Sequence, residues 1–260
     1  MNMVYFDSHC HLNDEAFDAN LEEEIRCCRE AGLKAMVCIG YDIVSSRKAI
    51  EIASKYEEVY AAIGVHPENR DGLVLEDLSQ IREMAKHPKV IAIGEIGLDY
   101  HWYRTPEERE PQKPWFVAQI ELSNELGLPV SIHARDATMD TYEILKEHPV
   151  KAGAVLHCYS GSVESLREFA KLGYYFGFDG PITYKNAVTP KECVRACPED
   201  RILVETDSPY LSPVPFRGKQ NSPKNIPYIV EAMAELRGVA KEKMGEILQE
   251  NFQRLFRVKL

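Results

Sequence analysis

The sequence lacks any apolar run long enough to cross a membrane. No stretch of its 260 residues approaches the roughly 18 to 20 consecutive apolar residues that a membrane-spanning helix requires. The first apolar run, residues 3–6, is too short for a signal peptide and has no basic leader before it. We therefore expect no membrane partner and a cytoplasmic location.

Cysteine pairs at the usual metal-binding spacing are missing too. The seven cysteines are an odd number, and Cys27 and Cys28 are neighbours in a helical pattern, which argues against a disulfide framework. No Cys-x-x-Cys spacing occurs, and Cys193 and Cys197 have no histidine beside them. We expect free thiols and no structural zinc site.

Positive charge is scarce. The formal net charge is −10, from 41 acidic and 31 basic residues. Such a chain offers no long-range attraction to a nucleic-acid backbone. An anionic substrate would have to be held by a local positive site, for example by bound metal ions.

Repeats, linkers and low-complexity tracts are also absent, which predicts one domain over residues 1–260. Short apolar runs rich in Val, Ile and Tyr alternate with helical patterns of ten or more residues, as in parallel β/α units. Eight such runs predict an α/β fold, the (β/α)8 TIM barrel. The predicted strands cover residues 3–9, 35–40, 59–65, 90–95, 130–133, 154–157, 174–178 and 202–205.

Helix boundaries are predicted from capping residues. Helical patterns cover residues 18–31, which end at Gly32, and residues 45–56, which begin on serines able to cap. A third covers residues 162–172 and ends at Gly173, and a further helix begins near Pro114. Residues 226–256 hold two helical patterns divided near Gly238, so one extra helix follows the eighth strand.

Two histidines with one residue between them follow the first apolar run. In a strand, His9 and His11 point to the same face. Taken alone, a His-x-His pair is more often hydrogen-bonded or at the surface than bound to metal. The remaining strand ends decide the matter, because active sites of TIM barrels form at the C-terminal ends of the strands. The polar residues at those ends are His66, Glu95, His133, Arg135, His157 and Asp207.

Imidazoles and carboxylates that meet at one mouth predict a metal centre. These ligands suit Zn²⁺, Mn²⁺ or Mg²⁺, and six of them, with one bridging carboxylate, are enough for two divalent metal ions. Singly, Glu95 could be a buried carboxylate bonded to backbone amides, and Asp207 could cap the next segment. Their convergence favours metal binding by the whole set: His9, His11, Glu95, His133, His157 and Asp207.

The motifs occur in an order typical of one family. FDSHCHL, GVHP, GEIGLDY, IHAR, HCYSGS, GPITYKNA and ETDSPYL follow one another along the chain, which resembles the TatD-type metal-dependent hydrolases, placed with the amidohydrolase-like metal barrels. The resemblance implies that His9, His11, Glu95 and Asp207 hold one ion. It implies that Glu95, His133 and His157 hold the second, with Glu95 as the bridge. It also suggests a deoxyribonuclease that acts as a 3′–5′ exonuclease on single-stranded DNA.

Water shared by two ions ionises near neutral pH and attacks a phosphodiester without a covalent enzyme intermediate. We expect Asp207 to orient this water and accept its proton. Asp207 and the bridging Glu95 are therefore the predicted catalytic residues.

Further side chains are predicted to bind the substrate. Arg135 and His66 can contact phosphate oxygens, and the turn at Ser160 precedes a helix whose backbone amides could hold an anion. Arg217 and Asn221 belong to a basic loop that binds phosphate or is a solvated surface turn. Residues 100–104 interleave aromatic and cationic side chains, which either stack exposed bases or form a lid on the barrel.

Two other functions remain open. The same chemistry hydrolyses carbon–nitrogen or ester bonds in related barrels, and aminoacyl-tRNA deacylation would be one such reaction. A non-catalytic binder could keep the barrel without the chemistry. The complete set of six ligands argues against the binder.

Overall fold

Eight parallel strands form a nearly closed barrel in the computed structural model, which describes residues 3–258. Each strand pairs with the next one in the sequence, so the predicted (β/α)8 fold is confirmed. The strands are β1 Tyr5–Cys10, β2 Leu33–Ile39, β3 Val59–Ile63, β4 Val90–Asp99, β5 Val130–Arg135, β6 Ala154–Leu156, β7 Tyr175–Phe178 and β8 Ile202–Val204.

Backbone hydrogen bonds beyond the last strand bring the two ends of the sheet together. The amide of Asp207 donates to the carbonyl of His9 at 2.9 Å, and the amide of His11 donates to the carbonyl of Ser208 at 2.8 Å. These bonds place residues from both ends of the chain at one edge of the barrel mouth.

The helices are α1 Leu21–Glu30, α2 Ile43–Lys55, α3 Leu78–Met84, α4 Pro106–Arg109, α5 Gln112–Leu126, α6 Thr138–Glu147, α7 Val163–Lys171, α8 Val188–Ala196, α9 Ile226–Arg237 and α10 Lys241–Phe256. Short 3₁₀ turns cover Glu15–Phe17, Pro67–Asn69, Leu75–Asp77, Gly180–Thr183, Glu199–Arg201 and Pro223–Asn225. As predicted, Ser162 caps α7 and Gly238 ends α9 with a φ of 66°.

The start predicted for α2 was two residues late. Asp42 is its N-cap and accepts a hydrogen bond from the Ser45 amide at 2.6 Å. The Ser45 hydroxyl accepts in return from the Asp42 amide at 2.9 Å. The serine therefore completes a capping box at the third helical position instead of capping the helix itself.

Helix α10 closes the N-terminal end of the barrel. Alternate strand residues, among them Ala35 and Val37, share a buried cluster with Phe252 and Phe256 of this helix. Phe6 of β1 stacks on Phe252 with ring centroids 5.2 Å apart. Because apolar side chains cover that end of the barrel, a polar site has to lie at the opposite, C-terminal end of the strands.

Helices long and apolar enough to span a membrane are absent between residues 3 and 258.

Candidate metal centre

The structure brings all six predicted ligand side chains together at the C-terminal ends of the strands. Four of these residues are buried at the base of the mouth, and His133 and Asp207 are partly exposed to it. They come from β1 and the residue just after it, from β4 and β5, and from the segments that follow β6 and β8: His9, His11, Glu95, His133, His157 and Asp207.

The two carboxylate oxygens of Glu95 face different histidines. Its Oε2 lies 3.5 Å from Nε2 of His9 and 3.8 Å from Nε2 of His11. Its Oε1 lies 2.7 Å from Nε2 of His157 and 2.9 Å from Nδ1 of His133. Glu95 is therefore placed as a bridging carboxylate would be, with one oxygen toward each pair of imidazoles.

The set around His11 has the spacing that a metal ion requires. Asp207 Oδ1 lies 3.3 Å from Nε2 of His11 and 3.6 Å from Nε2 of His9, and these two nitrogens are 3.3 Å apart. Ligand atoms bound 2.0–2.2 Å from one divalent ion lie about 3 to 3.6 Å from each other. The donor set and its spacing therefore fit a divalent cation.

Hydrogen bonds fix which imidazole nitrogens face the centre. Nδ1 of His11 lies 3.1 Å from the carbonyl oxygen of Ile39, which only an N–H can donate to. The free electron pair of neutral His11 is then on Nε2, toward Asp207 and Glu95. Nδ1 of His9 contacts the Ser131 hydroxyl at 3.1 Å, which leaves its Nε2 for the same centre.

His66 also lies near Glu95, with its Nε2 3.5 Å from Oε1. Among the described residues, the ligand atoms of His66, Glu95 and His133 lie within 4.8 Å of one another. However, Nδ1 of His66 accepts a hydrogen bond from the Glu68 amide at 3.2 Å. Burial, then the neighbouring His133, lowers the pKa of His66 to about 3, so the ring is neutral and carries its proton on Nε2. His66 therefore presents an N–H donor to the mouth.

Two glycines allow β4 and β5 to approach each other at the centre. Gly94 and Gly97 have φ values of 149° and 147°, a region that L side chains rarely adopt. A Cβ at Gly94 would lie 2.7 Å from the carbonyl oxygen of Ser131, and one at Gly97 would lie 1.9 Å from that of His133. The glycines that flank Glu95 therefore set its distance from His133.

The centre concentrates opposite charges. Burial opposes ionisation of Glu95 and Asp207, but the surrounding histidines hold the pKa of both carboxyls below their usual values. Burial also opposes protonation of His11 and His133, yet hydrogen bonds to carboxylates raise the pKa of each to about 9. Burial lowers the pKa of His9 to about 4. Without a metal, two carboxylates are thus balanced by two imidazolium rings, and a bound cation would replace those protons.

A second layer of acids lies behind the ligands. Asp99, at the end of β4, places Oδ2 2.9 Å from Nε2 of His133. Glu205 lies 3.8 Å from Nδ1 of His157 and accepts a hydrogen bond from the Ser8 hydroxyl at 3.0 Å. The sequence reasoning missed both roles, although each acid belongs to a motif that carries a predicted ligand.

An open cleft of about 660 Å³ lies above the ligands. Arg135 and Ser160, two of the residues expected to bind substrate, line it. Trp102 and Tyr210 line it as well, with 60% and 55% of their surfaces exposed. The Arg135 guanidinium lies 5.7 Å from the centroid of the Trp102 ring. The cleft thus combines cationic and aromatic groups at the edge of the ligand cluster.

The basic loop after β8 contributes fewer side chains to the cleft than expected. Arg217 is exposed and lies over the Tyr184 ring, 4.3 Å from its centroid, outside the lining of the cleft. Asn221 is fully buried, donates to the Thr206 carbonyl at 2.9 Å and accepts from the Ser222 amide at 2.8 Å. This placement corrects the expectation that Asn221 contacts substrate, because its amide holds the loop together.

The chain is similar to known proteins over nearly its whole length. The model of a family described as TatD related DNase matches residues 6–257. The uncharacterized metal-dependent hydrolase YabD of Bacillus subtilis (strain 168) is 46% identical over 256 residues, which cover 98% of this chain and 100% of YabD. YcfH of Escherichia coli (strain K12), also an uncharacterized metal-dependent hydrolase, is 36% identical over 98% of this chain and 97% of its own length. The crystal structure of YJJV, a TatD homolog from Escherichia coli K12, superposes with a TM-score of 0.91 at 28% identity and covers 98% of both chains.

Proposed function

Because this chain belongs to the family of TatD-related DNases, whose members are metal-dependent hydrolases, we propose that it removes nucleotides from the 3′ end of single-stranded DNA. The observation that carries the proposal is the division of the Glu95 oxygens between two pairs of imidazoles, directly below a cleft lined by Trp102 and Arg135. The predicted cytoplasmic location is part of this proposal.

The six ligands divide into two sets. We assign His9, His11, Glu95 and Asp207 to one divalent ion. Glu95, His133 and His157 belong to the second, with Glu95 shared. Mg²⁺, Mn²⁺ and Zn²⁺ all suit these donors. Two such ions, when bound, supply a lowered pKa for an attacking water and charge neutralisation at the phosphate.

Asp207 has the position of a general base. Its carboxylate lies at the edge of the ligand cluster, lines the cleft, and is kept ionised by its histidine neighbours. It orients the attacking water, accepts its proton and returns a proton toward the leaving oxygen. The reaction breaks the bond between phosphorus and that oxygen and leaves no covalent intermediate on the enzyme.

The scissile phosphate is held by donors around the mouth. Arg135 carries a guanidinium that can bond two phosphate oxygens at once. The Nε2–H of His66 points toward the same centre and donates without competing for metal. Ser160 precedes the capped start of α7, where backbone amides favour an anion. Together with bound cations, these donors form the local anion site that a chain of net charge −10 needs.

The preference for a chain end follows from the shape of the cleft. A volume of about 660 Å³ is in the range of sites for single small ligands, which is too small for a stretch of duplex. The exposed ring of Trp102 offers a stacking surface for an unpaired base. A single strand can therefore present its terminal nucleotide to the ligands while the next base stacks on the rim.

The test is to incubate metal-reconstituted protein with 3′-labelled and 5′-labelled single-stranded DNA. We expect stepwise shortening from the 3′ end, no cutting of closed circular single strands, and no activity in Glu95→Ala. Equal cutting of circular and linear strands would contradict the exonuclease mode. No cleavage by protein that holds its ions would reject DNA as the substrate and favour a carbonyl substrate such as an ester or amide.

A further inference from the structure

Asp99 is fully buried and bonded through both of its carboxylate oxygens. Oδ2 accepts from Nε2 of His133 at 2.9 Å. Oδ1 accepts from the backbone amides of His101 and Trp102, at 2.9 Å and 3.0 Å. One side chain thus contacts both a ligand of the metal centre and the loop that lines the cleft.

The backbone of Asp99 is held in place as well. Its amide donates to Oε1 of Gln112 at 2.8 Å, and its carbonyl accepts from Nε2 of the same glutamine at 2.9 Å. Gln112 is buried in the first turn of α5. The backbone of Asp99 is therefore held by α5, independently of the groups that its carboxylate contacts.

The contact with His133 decides which of its nitrogens can bind a metal. A carboxylate only accepts hydrogen bonds, so Nε2 of His133 must carry a proton. In the neutral ring the free electron pair is then on Nδ1, which lies 2.9 Å from Glu95 Oε1 and 3.3 Å from His157 Nε2. A carboxylate behind a metal-binding imidazole orients the ring in this way in many metalloproteins.

We propose that Asp99 is a positioning residue with two tasks: it holds His133 in the tautomer that binds metal through Nδ1, and it fixes the segment that carries Trp102. Its consequences for metal and DNA binding rest on the proposed function, whereas the tautomer of His133 can be tested without it. The metal centre and the stacking surface for the terminal base are then set by one side chain.

Two substitutions separate the two tasks. In Asp99→Asn, the amide oxygen can still accept from the loop amides, which turns the NH₂ group toward His133 and requires an unprotonated Nε2. The proton then occupies Nδ1, so one ion should bind about 10- to 100-fold more weakly while Trp102 stays in place. Asp99→Ala removes both acceptors, so it should weaken the ion and also release Trp102.

The readouts are calorimetric titration with Zn²⁺ or Mn²⁺ and acrylamide quenching of Trp102 fluorescence. The chain has two tryptophans, so quenching is measured in a Trp115→Phe background. Asp136→Asn is the matched control, because Asp136 contacts the ring of His101 at 3.2 Å and not His133. If Asp99→Asn binds a metal ion at each of the two sites with an affinity within about twofold of wild type, Asp99 does not control metal binding by His133. Unchanged quenching in Asp99→Ala would overturn the loop task.

The tautomer of His133 can also be measured in the wild-type protein, so this test does not depend on the folding of a variant. In ¹⁵N spectra of histidine-labelled, metal-free protein recorded across a pH series, we expect the neutral His133 ring to carry its proton on Nε2, toward Asp99. A proton on Nδ1 would overturn the proposal. Protein that shows the expected tautomer but binds no divalent ion would contradict the proposed function and leave the positioning of His133 supported.

Discussion

Asp207 holds a backbone conformation that an asparagine tolerates. Its φ is 52°, in the left-handed region, and asparagine is one of the few residues that adopt this region readily. Asp207→Asn should therefore keep the backbone and a ligand oxygen while losing the proton acceptor. We predict a fall in kcat of about 100-fold or more with both ions retained, measured by oligonucleotide hydrolysis and elemental analysis.

The control for this substitution is Asp136→Asn. Asp136 has a φ of 54° and is exposed at the same mouth, so the two changes are matched in chemistry and conformation. The control should keep its kcat. Full activity of Asp207→Asn with its metals bound would show that another group accepts the proton.

Asp179, at the end of β7, should make stability depend on pH. Burial, then the charge of Asp207, raises its pKa from 3.8 to about 8. Between these values the folded chain binds a proton that the unfolded chain has lost, so the free energy of unfolding falls as pH rises. Relative to Asp179→Asn, which resembles the protonated form, metal-free wild type should lose about 3–4 kcal/mol between pH 5 and pH 8.5.

Denaturant unfolding at the two pH values measures this difference. Asp71→Asn provides the comparison, since 81% of the Asp71 side chain is exposed to solvent. A constant difference between wild type and Asp179→Asn across the range would mean that the buried carboxyl does not titrate there.

Among single residues, the sequence predicted which side chains meet at the mouth, but it did not predict the side chains that lie behind them. His9 and His133 stand at the ends of recognisable apolar runs, so the topology alone sends them to one mouth. Asp99 contacts His133 only because β4 continues beyond Glu95 beside β5, which local sequence does not show. Asn221 appears in a polar loop like any surface residue, and only the tertiary structure buries it.

At the scale of elements, β4 differs most from its prediction. The sequence predicts a strand over residues 90–95, but β4 reaches Asp99. Its pairing with β5 shifts register between Ile93 and Ile96, and Gly97 then lies opposite His133. The glycines allow the close approach to β5 that extends the strand beyond Glu95.

The loop between β4 and α4 should govern substrate affinity. Trp102 is 60% exposed and lies beside Arg135. Stacking of a base on an aromatic ring contributes about 1–3 kcal/mol. We predict that Trp102→Ala raises the KM for single-stranded oligonucleotides about tenfold with little change in kcat, and that Trp102→Phe keeps most of the affinity.

Two comparisons make this kinetic result specific. A small phosphodiester without bases should be hydrolysed equally by wild type and Trp102→Ala. Tyr228→Ala removes an exposed aromatic ring that does not line the cleft and should leave KM unchanged. A tenfold loss with the base-free substrate would mean that the loop acts on the metal centre and not by stacking.

At the scale of the whole molecule, the barrel brings together the proposed ligands from distant parts of the chain. The net charge of the chain gives it no attraction for DNA. Under the proposed function, the charge of −10 means that a phosphate has to be held by the local centre. Helix α10 seals one end of the barrel with Phe252 and Phe256, and the eight strands direct their polar ends to the other. The alternation of strands and helices made this arrangement predictable, whereas side-chain contacts between loops depend on tertiary packing.

The most direct test counts metal ions in the wild type and in Glu95→Gln after reconstitution with Mn²⁺ and removal of the excess. The two oxygens of Glu95 face separate histidine pairs, so loss of its charge should disturb both sets. Asp136→Asn, which changes an exposed carboxyl that contacts none of the proposed ligands, is the control and should match wild type. We predict two ions per wild-type chain and at most one in Glu95→Gln. Two ions retained without the carboxylate, or only one in the wild type, would contradict a centre bridged by Glu95.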